Sequence, residues 1–283
     1  MLVAIPGLSQ DLLQELASQA EPSTVYTSAT FKGTRLVNGQ SIETKGKGAL
    51  EFIFQHRFGR INSGAYEFFG LDQAFVRLGL EYGITDRLGA GFGRNSEDKT
   101  MDVYLRYKVL RQSSGKINMP VTVSAFGMAA VKNSPKTEDA SYAIQFEDRL
   151  SYTGQLLIAR KFTSALSFQF MPTFVHKNTV DASIEKNDQA LLGIGGRVKV
   201  TRSVALTGEY YHRLSVPAGN PYYNPIGFGV DIETGGHVFQ LVLTNTRGLT
   251  ERAFLTETTG DFFNGDIHFG FNITRTFQLI KQK

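Results

Sequence analysis

Charged side chains that recur at every second position are the residues of this chain best suited to do chemistry. The set consists of Arg57, Arg77, Glu81, Arg106, Lys108, Arg197, Lys199, Glu209 and Arg213, and Lys161, Glu51 and Asp266 share its phase. Period-two spacing places such residues on one face of β-strands. Basic residues predominate among them, so a cavity lined by this face would attract anions. In a narrow interior the same charges could instead form cross-strand ion pairs, and both interpretations stay open here.

Catalytic and metal-binding motifs are not recognisable in the sequence. The histidines are His56, His176, His212, His237 and His268, and none stands at a motif spacing from a serine or carboxylate that would form a triad. The chain has no cysteine and no metal-ligand spacing. The strings GAGFG and GIGG resemble phosphate loops, but no helix follows them, so close packing explains them better. The sequence predicts no enzyme, no cofactor and no metal site.

The elements that must position these charges are β-strands. Around residues 71–95 an apolar series opposes a polar one, and an interruption at residues 85–87 separates two such runs. The apolar series is Ala74, Val76, Leu78, Leu80, Tyr82 and Ile84, and the opposite series is Gln73, Arg77, Gly79, Glu81 and Gly83. This pattern predicts a tight β-hairpin. Similar alternation recurs from residue 48 towards the C-terminus.

The connections between these runs alternate in length. Short interruptions fall at residues 85–87, 163–165 and 201–203, and long polar ones at residues 59–70, 132–148, 178–188 and 215–235. Short turns at one end and long loops at the other are typical of outer-membrane barrels. We therefore predict an all-β fold, namely a transmembrane antiparallel up-and-down β-barrel of about 12 strands (about 10 to 14), with short periplasmic turns and long outer loops. This count includes a weakly patterned strand at residues 252–258.

The composition excludes several other classes of protein. The chain of 283 residues contains 29 Gly, 22 Phe and 11 Tyr, a balance that favours strands and turns over helices. No apolar run reaches the roughly 20 residues that a membrane-spanning helix needs, which excludes a helical membrane protein. The net charge is +4 and there is no basic block, so no nucleic acid is predicted as a partner.

The N-terminal region differs in pattern from the rest. Residues 1–10 are apolar and end in small residues, as a signal-peptide remnant or an apolar arm would. Residues 11–47 form an N-terminal arm that begins with a short amphipathic helix at Leu12, Leu13 and Leu16. The arm continues as a strand, a plug or a periplasmic segment. The barrel is predicted to occupy residues 48–283.

Four segments carry a resemblance to a known family: ATFKGTRLVNGQSIETKGKGALEFIFQHRFGR, FFGLDQAFVRLGLEYGITDRLGAGFGR, GGHVFQLVLTNT and GDIHFGFNITRTF. Together they resemble an uncharacterised outer-membrane β-barrel family of Bacteroidota, a domain-of-unknown-function family, over residues 29–277. The resemblance implies a location and a fold. Because that family has no established activity, the resemblance supplies no functional residues.

Three functions are compatible with these patterns. The first, which the polar lumen and the long loops favour, is a passive channel or small-solute transporter of the cell outer membrane with a mildly basic lumen. The second is a non-conducting barrel that acts as a structural anchor or docking partner for other envelope proteins. The third is a soluble β-sheet binding protein. For a barrel, the predicted partners are outer-membrane lipid, small anionic or polar solutes and other envelope proteins.

Overall fold

A closed antiparallel β-barrel dominates the computed structural model, which describes residues 23–133 and 145–280. The strands are β1 (Thr24–Tyr26), β2 (Ala49–Arg60), β3 (Ala74–Gly83), β4 (Leu88–Asn95), β5 (Met101–Leu110), β6 (Ser113–Gly115), β7 (Thr122–Val131), β8 (Leu150–Lys161), β9 (Leu166–Lys177), β10 (Asp188–Lys199), β11 (Val204–Arg213), β12 (Ile226–Thr234), β13 (His237–Thr244) and β14 (His268–Gln278). All except β1 and β6 belong to the barrel, in chain order, and β14 pairs with β2 to close it. The predicted fold class is confirmed.

Two smaller features lie outside the barrel wall. Strands β1 and β6 pair with each other in a two-stranded antiparallel sheet. A helix, α1 (Glu251–Thr256), lies in the loop between β13 and β14. No helix among the described residues is long and apolar enough to cross a membrane. The signal-peptide remnant and the short helix proposed for the first residues fall outside the part of the chain that the structure describes.

Alternating burial along the barrel strands separates a lumen face from an outer face. In β3, Arg77 is buried while Leu78 and Leu80 are exposed. The alternation arises because successive side chains of a strand point to opposite sides of the sheet. The hairpin expected within residues 71–95 forms as β3 and β4. The inward position predicted for Gln73 is wrong, because this residue precedes β3 and is exposed.

Threonine side chains fix three of the short turns. The Oγ1 atom of Thr85 accepts hydrogen bonds from the backbone N–H groups of Arg87 and Leu88, at 3.2 and 2.9 Å. Thr163 and Thr201 make the same pair of contacts after β8 and β10. A hydroxyl that satisfies the free donors of a tight reversal stabilises the reversal. These turns define one end of the barrel, which we call the short-turn end.

The opposite end, which we call the long-loop end, carries most of the long connections, as the sequence predicts. There are two departures from that rule. The connection between β4 and β5 lies at the long-loop end but spans only residues 96–100. The connection over residues 111–121, between β5 and β7, lies at the short-turn end and is longer than its neighbours because it contains β6.

A missed strand, β12, lies within the segment that the sequence pattern assigned to a long connection at residues 215–235. The alternation of Ile226 and Phe228 with glycines is present in the sequence, but the preceding loop, rich in Asn and Pro, obscures where it begins. The strand ends in a two-residue turn at Gly235 and Gly236, which have φ of 30° and 116°. Positive φ at both turn residues favours glycine in such hairpins.

The strand expected at residues 252–258 is also wrong, because α1 occupies most of this range. Phe254 and Leu255 are buried, and the helix packs inside the barrel mouth rather than in its wall. A loop segment that returns into a lumen needs no period-two pattern, which is why its alternation was weak. The missed strand and the extra strand cancel, so the predicted number of strands agrees with the structure.

Candidate functional site

The lumen contains part of the N-terminal arm, residues 28–47, which we call the plug. Its apolar residues Phe31, Leu36 and Ile42 are 2 %, 0 % and 1 % exposed. Arg35 and Gln40 form an antiparallel bridge, so the plug folds back on itself as a small hairpin. The sequence pattern alone is compatible with a strand, a plug or a periplasmic segment here. The structure places it inside the barrel.

Both ends of the plug lie at the short-turn end. The Nζ atom of Lys161, at the end of β8, donates to the Ser28 carbonyl at 2.9 Å. Where the plug leaves the lumen, the Gly48 N–H donates to the Gly83 carbonyl at 2.8 Å. Gly83 has no side chain, and a Cβ there would collide with the backbone of Gly46. The plug is therefore a loop that enters and leaves the barrel on the same side.

The tip of the plug is bound by one carboxylate of the wall. Glu209 in β11 accepts hydrogen bonds from the backbone N–H groups of three consecutive residues, Val37, Asn38 and Gly39, at 2.7 to 3.2 Å. Consecutive N–H groups that converge in this way form an anion-binding concavity. A Cβ at Gly39 would overlap the hydroxyl of Tyr211, so the tip needs glycine at this point.

Side chains of the wall satisfy the carbonyl groups of the plug. Arg106 donates to the carbonyls of Thr34, Ser41 and Glu43. Further donors reach the tip: Gln240 to the Leu36 carbonyl at 2.5 Å, Asn272 to the Val37 carbonyl at 2.9 Å and Arg57 to the Asn38 side chain at 2.9 Å. Buried backbone groups need such partners. The plug thus replaces the water that would otherwise solvate these wall residues.

Inward-facing glycines make room for the plug and for the large side chains around it. At Gly195 a Cβ would crowd the side chain of Leu36 in the plug, and at Gly193 it would meet the ring of Tyr211. Gly91 lies in the same way beneath the ring of Tyr104. The strings GAGFG and GIGG therefore serve close packing, as the sequence suggested.

The plug is also held from the long-loop end by α1. Arg35 of the plug forms an ion pair with Glu251 at 2.9 Å, and Gln40 donates to the same carboxylate. Phe254 packs edge-on against Tyr211, with 5.6 Å between ring centroids. Arg35 and Glu251 are both buried, so each depends on the other for compensation of its charge. We call the ion pair between Arg35 and Glu251 the latch.

The charged residues predicted for the lumen lie on the inward face, most of them with partners. Arg77 pairs with Asp102 at 2.5 Å and Arg197 with Glu233 at 2.5 Å, while Arg106 lies 3.5 Å from Glu81. Arg213 bonds to the side chains of Asn220 and Gln189. Arg57 and Glu209 contact the plug tip, and Lys108 and Lys199 are half-buried near the short-turn end. Their role in function stays a prediction.

Several interior charges were missed in the sequence. Asp102, Asp231, Glu233 and Lys177 lie on the lumen side of their strands. Asp102 shares the phase of Arg106, so strict alternation would have found it. Glu251, in contrast, comes from a loop that no strand pattern addresses. Asp266, which was assigned to the lumen, instead lies in the loop before β14.

Asp266 is fixed at the long-loop end by hydrogen bonds. It accepts from Asn62 at 2.8 Å and pairs with Arg60 at 3.1 Å. The hydrogen bond from Asn62 keeps the pKa of the Asp266 carboxyl below its usual value, because it stabilises the charged form.

The lumen as a whole is less basic than the sequence predicts. The sequence pattern missed several acidic residues of the wall, and Arg77, Arg106 and Arg197 are paired with acids.

The histidines on the outer face lie among aromatic rings. His56 stacks on Phe271 with 5.0 Å between centroids, and His176 lies against Tyr152 and 2.7 Å from Asp188. His212 lies beside Tyr210. These histidines lie towards the long-loop ends of their strands. Amphipathic rings are usual there, because this part of an outer-membrane barrel meets the membrane interface. No group of His, Cys, Asp and Glu suited to a metal ion occurs within the described ranges.

A small cavity remains inside the lumen and a larger one opens at the long-loop end. The inner cavity has a volume of about 20 Å³, lies between Arg35 and the wall residues Gln55 and Asn272, and has room for about one water molecule. The larger cavity has a volume of about 250 Å³ and lies above α1. We call it the outer pocket. Burial raises the pKa of the Glu97 carboxyl in its lining, although Arg247 opposes this shift.

Residues 31–277 match the family described as a membrane-bound β-barrel domain (DUF5777). The chain belongs to this family. A membrane-bound barrel with an apolar outer face and a closed set of hydrogen-bonded strands is an outer-membrane protein. The alternative of a soluble β-sheet protein is thereby set aside. None of the curated proteins is significantly similar in sequence.

Solved outer-membrane structures share low similarity with the chain. A NanC porin has a TM-score of 0.48 and 11 % identity, covering 81 % of this chain and all of its own. A KdgM porin has a TM-score of 0.47 and 9 % identity, covering 81 % of this chain and 99 % of its own. The translocator domain of the autotransporter NalP from Neisseria meningitidis has a TM-score of 0.35 and 10 % identity, and the match covers 83 % of this chain and 91 % of that domain. Similarities this low do not bear on what the chain binds.

Proposed function

We propose that the protein is a channel for small polar solutes that the plug closes and that conducts when the plug leaves the lumen, and that it is not an enzyme. The observation that carries this proposal is the attachment of the plug. It is held in the lumen by hydrogen bonds and ion pairs with no covalent cross-link, and both of its ends lie at the short-turn end. A segment held in this way can leave the lumen without unfolding any barrel strand.

The wall residues beneath the plug support a polar solute path. Arg57, Arg106, Gln240 and Asn272 would face water once the plug has gone, because each now donates a hydrogen bond to the plug in addition to its contacts within the wall. Ion pairs such as Arg77 with Asp102 would remain within the wall. We infer a lumen that prefers small anionic over cationic solutes, because Lys108 and Lys199 lie on its inward face near the short-turn end. Departure of the plug would free charges of both signs, since Glu51, Glu209 and Glu251 would lose plug partners as Arg57 and Arg106 would.

Conductance in a planar lipid bilayer tests the proposal. The full chain should show no steady conductance, whereas a chain that begins at Gly48, and so lacks the plug, should conduct steadily. A closed control comes from Asn38→Cys combined with Thr244→Cys and joined by a short thiol-reactive cross-linker, because the Asn38 Nδ2 and Thr244 Oγ1 atoms are 3.1 Å apart and the chain has no cysteine of its own. This variant should stay closed when cross-linked. A barrel without the plug that inserts but does not conduct would refute the channel.

A docking function has one observation in its favour. The small sheet of β1 and β6 lies at the short-turn end, and Val25 and Tyr26 in β1 are 61 % and 40 % exposed. A short exposed sheet can bind a further strand from another envelope protein. If the chain without the plug does not conduct, the barrel as an anchor or docking partner becomes the better proposal.

A further inference from the structure

The outer pocket lies between α1 and the neighbouring loops at the long-loop end. Its lining comes from four connections and includes Glu97, Tyr222, Thr246, Ala253, Thr258 and Thr259. The volume of about 250 Å³ lies below the usual range for drug-sized ligands, so a ligand here would be small. The pocket lies among the connections of the long-loop end and not among the residues of the plug.

The charges in this lining already have partners. Arg247 pairs with Glu97 at 2.7 Å and Lys132 with Asp98 at 2.7 Å. Glu257 pairs with Arg252 at 2.5 Å and with Lys177 at 3.2 Å. A charged ligand would have to displace one of these ion pairs or leave its own charge uncompensated. The pocket therefore suits a neutral ligand.

The remaining groups in the lining suit hydroxyl groups on that ligand. Three threonines and the paired carboxylates offer oxygen atoms, and the Oε2 atom of Glu97 is buried with no hydrogen-bond partner among the described residues. A carboxylate oxygen without a donor is a strong acceptor, and a small rotation of the Glu97 side chain, which is 18 % exposed, would present it to a ligand hydroxyl. The ring of Tyr222 adds a flat apolar surface, against which the C–H groups of a ligand could pack.

We propose that the outer pocket binds a neutral, hydroxyl-rich solute of monosaccharide size. The carboxylate of Glu97 and the threonine hydroxyls hydrogen-bond to its hydroxyl groups, and the Tyr222 ring packs against its ring carbons. As the substrate class of the channel, this inference rests on the proposed function. The binding itself does not, because the pocket is complete with the plug in place.

The pocket also borders the element that holds the plug. Ala253 and Glu257 line the pocket, while Glu251 and Phe254 of the same loop segment contact Arg35 and Tyr211 inside the lumen. A solute in the outer pocket therefore lies one helix away from the latch. This position is the one in which a transported solute would be bound before the lumen opens.

Isothermal titration calorimetry on the full chain tests the site. The protein is kept in a detergent without a sugar headgroup, and the probes are D-glucose, D-galactose and N-acetyl-D-glucosamine, with D-glucuronate as the charged comparison. At least one neutral sugar should bind with one site per chain, and D-glucuronate should bind more weakly. Binding by none of the neutral sugars, or by D-glucuronate alone, would overturn the proposal.

Matched variants place the binding in the pocket. Tyr222→Ala should raise the apparent Kd about tenfold, which is a loss of about 1.4 kcal/mol of binding free energy. Tyr222→Phe should bind as the natural chain does. Tyr223→Ala is the control, because its side chain lies in the same loop but outside the lining. Heat-dependent gel mobility verifies that each variant is folded. Unchanged affinity in a folded Tyr222→Ala variant would contradict the site.

Conductance separates this inference from the proposed function. Sugar binding with a barrel that does not conduct, even without its plug, would keep the site and reject the channel. Conductance without sugar binding would keep the channel and reject the outer pocket as its solute site.

Discussion

At the residue scale, Glu209 is the side chain on which the position of the plug depends most directly. Its two carboxylate oxygens accept from three consecutive backbone N–H groups at the plug tip. The phase of Glu209 in β11 was predictable from alternation. Its partners were not, because they lie some 170 positions away in a segment without strand periodicity.

Glu209→Gln should loosen the plug. A carboxamide has one acceptor oxygen where the carboxylate has two, and hydrogen bonds to a charged group contribute about 1.5 to 3 kcal/mol each. The measurement is the rate at which a membrane-impermeant maleimide labels a single cysteine introduced as Val37→Cys, which is buried in the natural structure. The chain has no other cysteine, so there is no background.

The matched control is Glu147→Gln, since Glu147 is exposed in an outer loop. Labelling should accelerate in the Glu209 variant and stay unchanged in the control. Equal labelling in both would show that Glu209 does not hold the tip.

At the element scale, the latch joins two segments that neither strand pattern nor loop length could pair. Glu251 lies in α1 and Arg35 in the plug, and the residues are separated by 216 positions. Alternation predicts which face of a wall strand is polar, and it did so for most strands. It cannot predict how a loop folds back into a lumen, because no periodicity links the loop to its contacts.

Breaking one side of the latch should release the plug more than removing both sides. Glu251→Met leaves Arg35 buried without a counter-charge, which typically costs about 3 to 5 kcal/mol. Adding Arg35→Met removes that charge and should recover part of the loss. Labelling of the Val37→Cys reporter should thus be fastest in the single variant. A double variant as fast as the single one would mean that the ion pair is not what couples α1 to the plug.

The outer face of β3 gives a prediction about membrane insertion. Leu78 is 48 % exposed at mid-strand on the lipid side, so Leu78→Arg should impair insertion by about 2 to 4 kcal/mol. Folding into lipid vesicles, followed by heat-dependent gel mobility in increasing urea, measures the change. Leu78→Phe is the control and should insert normally. An arginine tolerated as well as the phenylalanine would mean that this face does not meet lipid.

At the scale of the whole molecule, the interior charges set ion preference once the plug is removed. Arg77 and Arg197 are poor targets for charge reversal, because each is paired with an acid of the wall. Lys108 and Lys199 are half-buried at the short-turn end and are better ones. They lie where solutes would leave the lumen.

The chain that begins at Gly48 should prefer chloride over potassium, and this preference should weaken as salt approaches 1 M, where the screening length is about 3 Å. Lys108→Glu with Lys199→Glu should move the reversal potential towards cations in this shortened chain. Lys116→Glu with Arg202→Glu, at exposed turn positions, is the control. If the two inward substitutions shift the reversal potential no more than the two control substitutions do, charges in the lumen do not determine the ion preference.

The attachment of both plug ends on one side also determines the order in which the molecule can be built. Residues 28–47 pass in and out through the short-turn end, so no part of them threads through the barrel to the other side. The wall can close as an empty cylinder when β14 pairs with β2. The plug can enter the lumen afterwards from the periplasmic side. Assembly of the cylinder and its filling are then separate steps. A chain deprived of the plug should complete the first of them unaided.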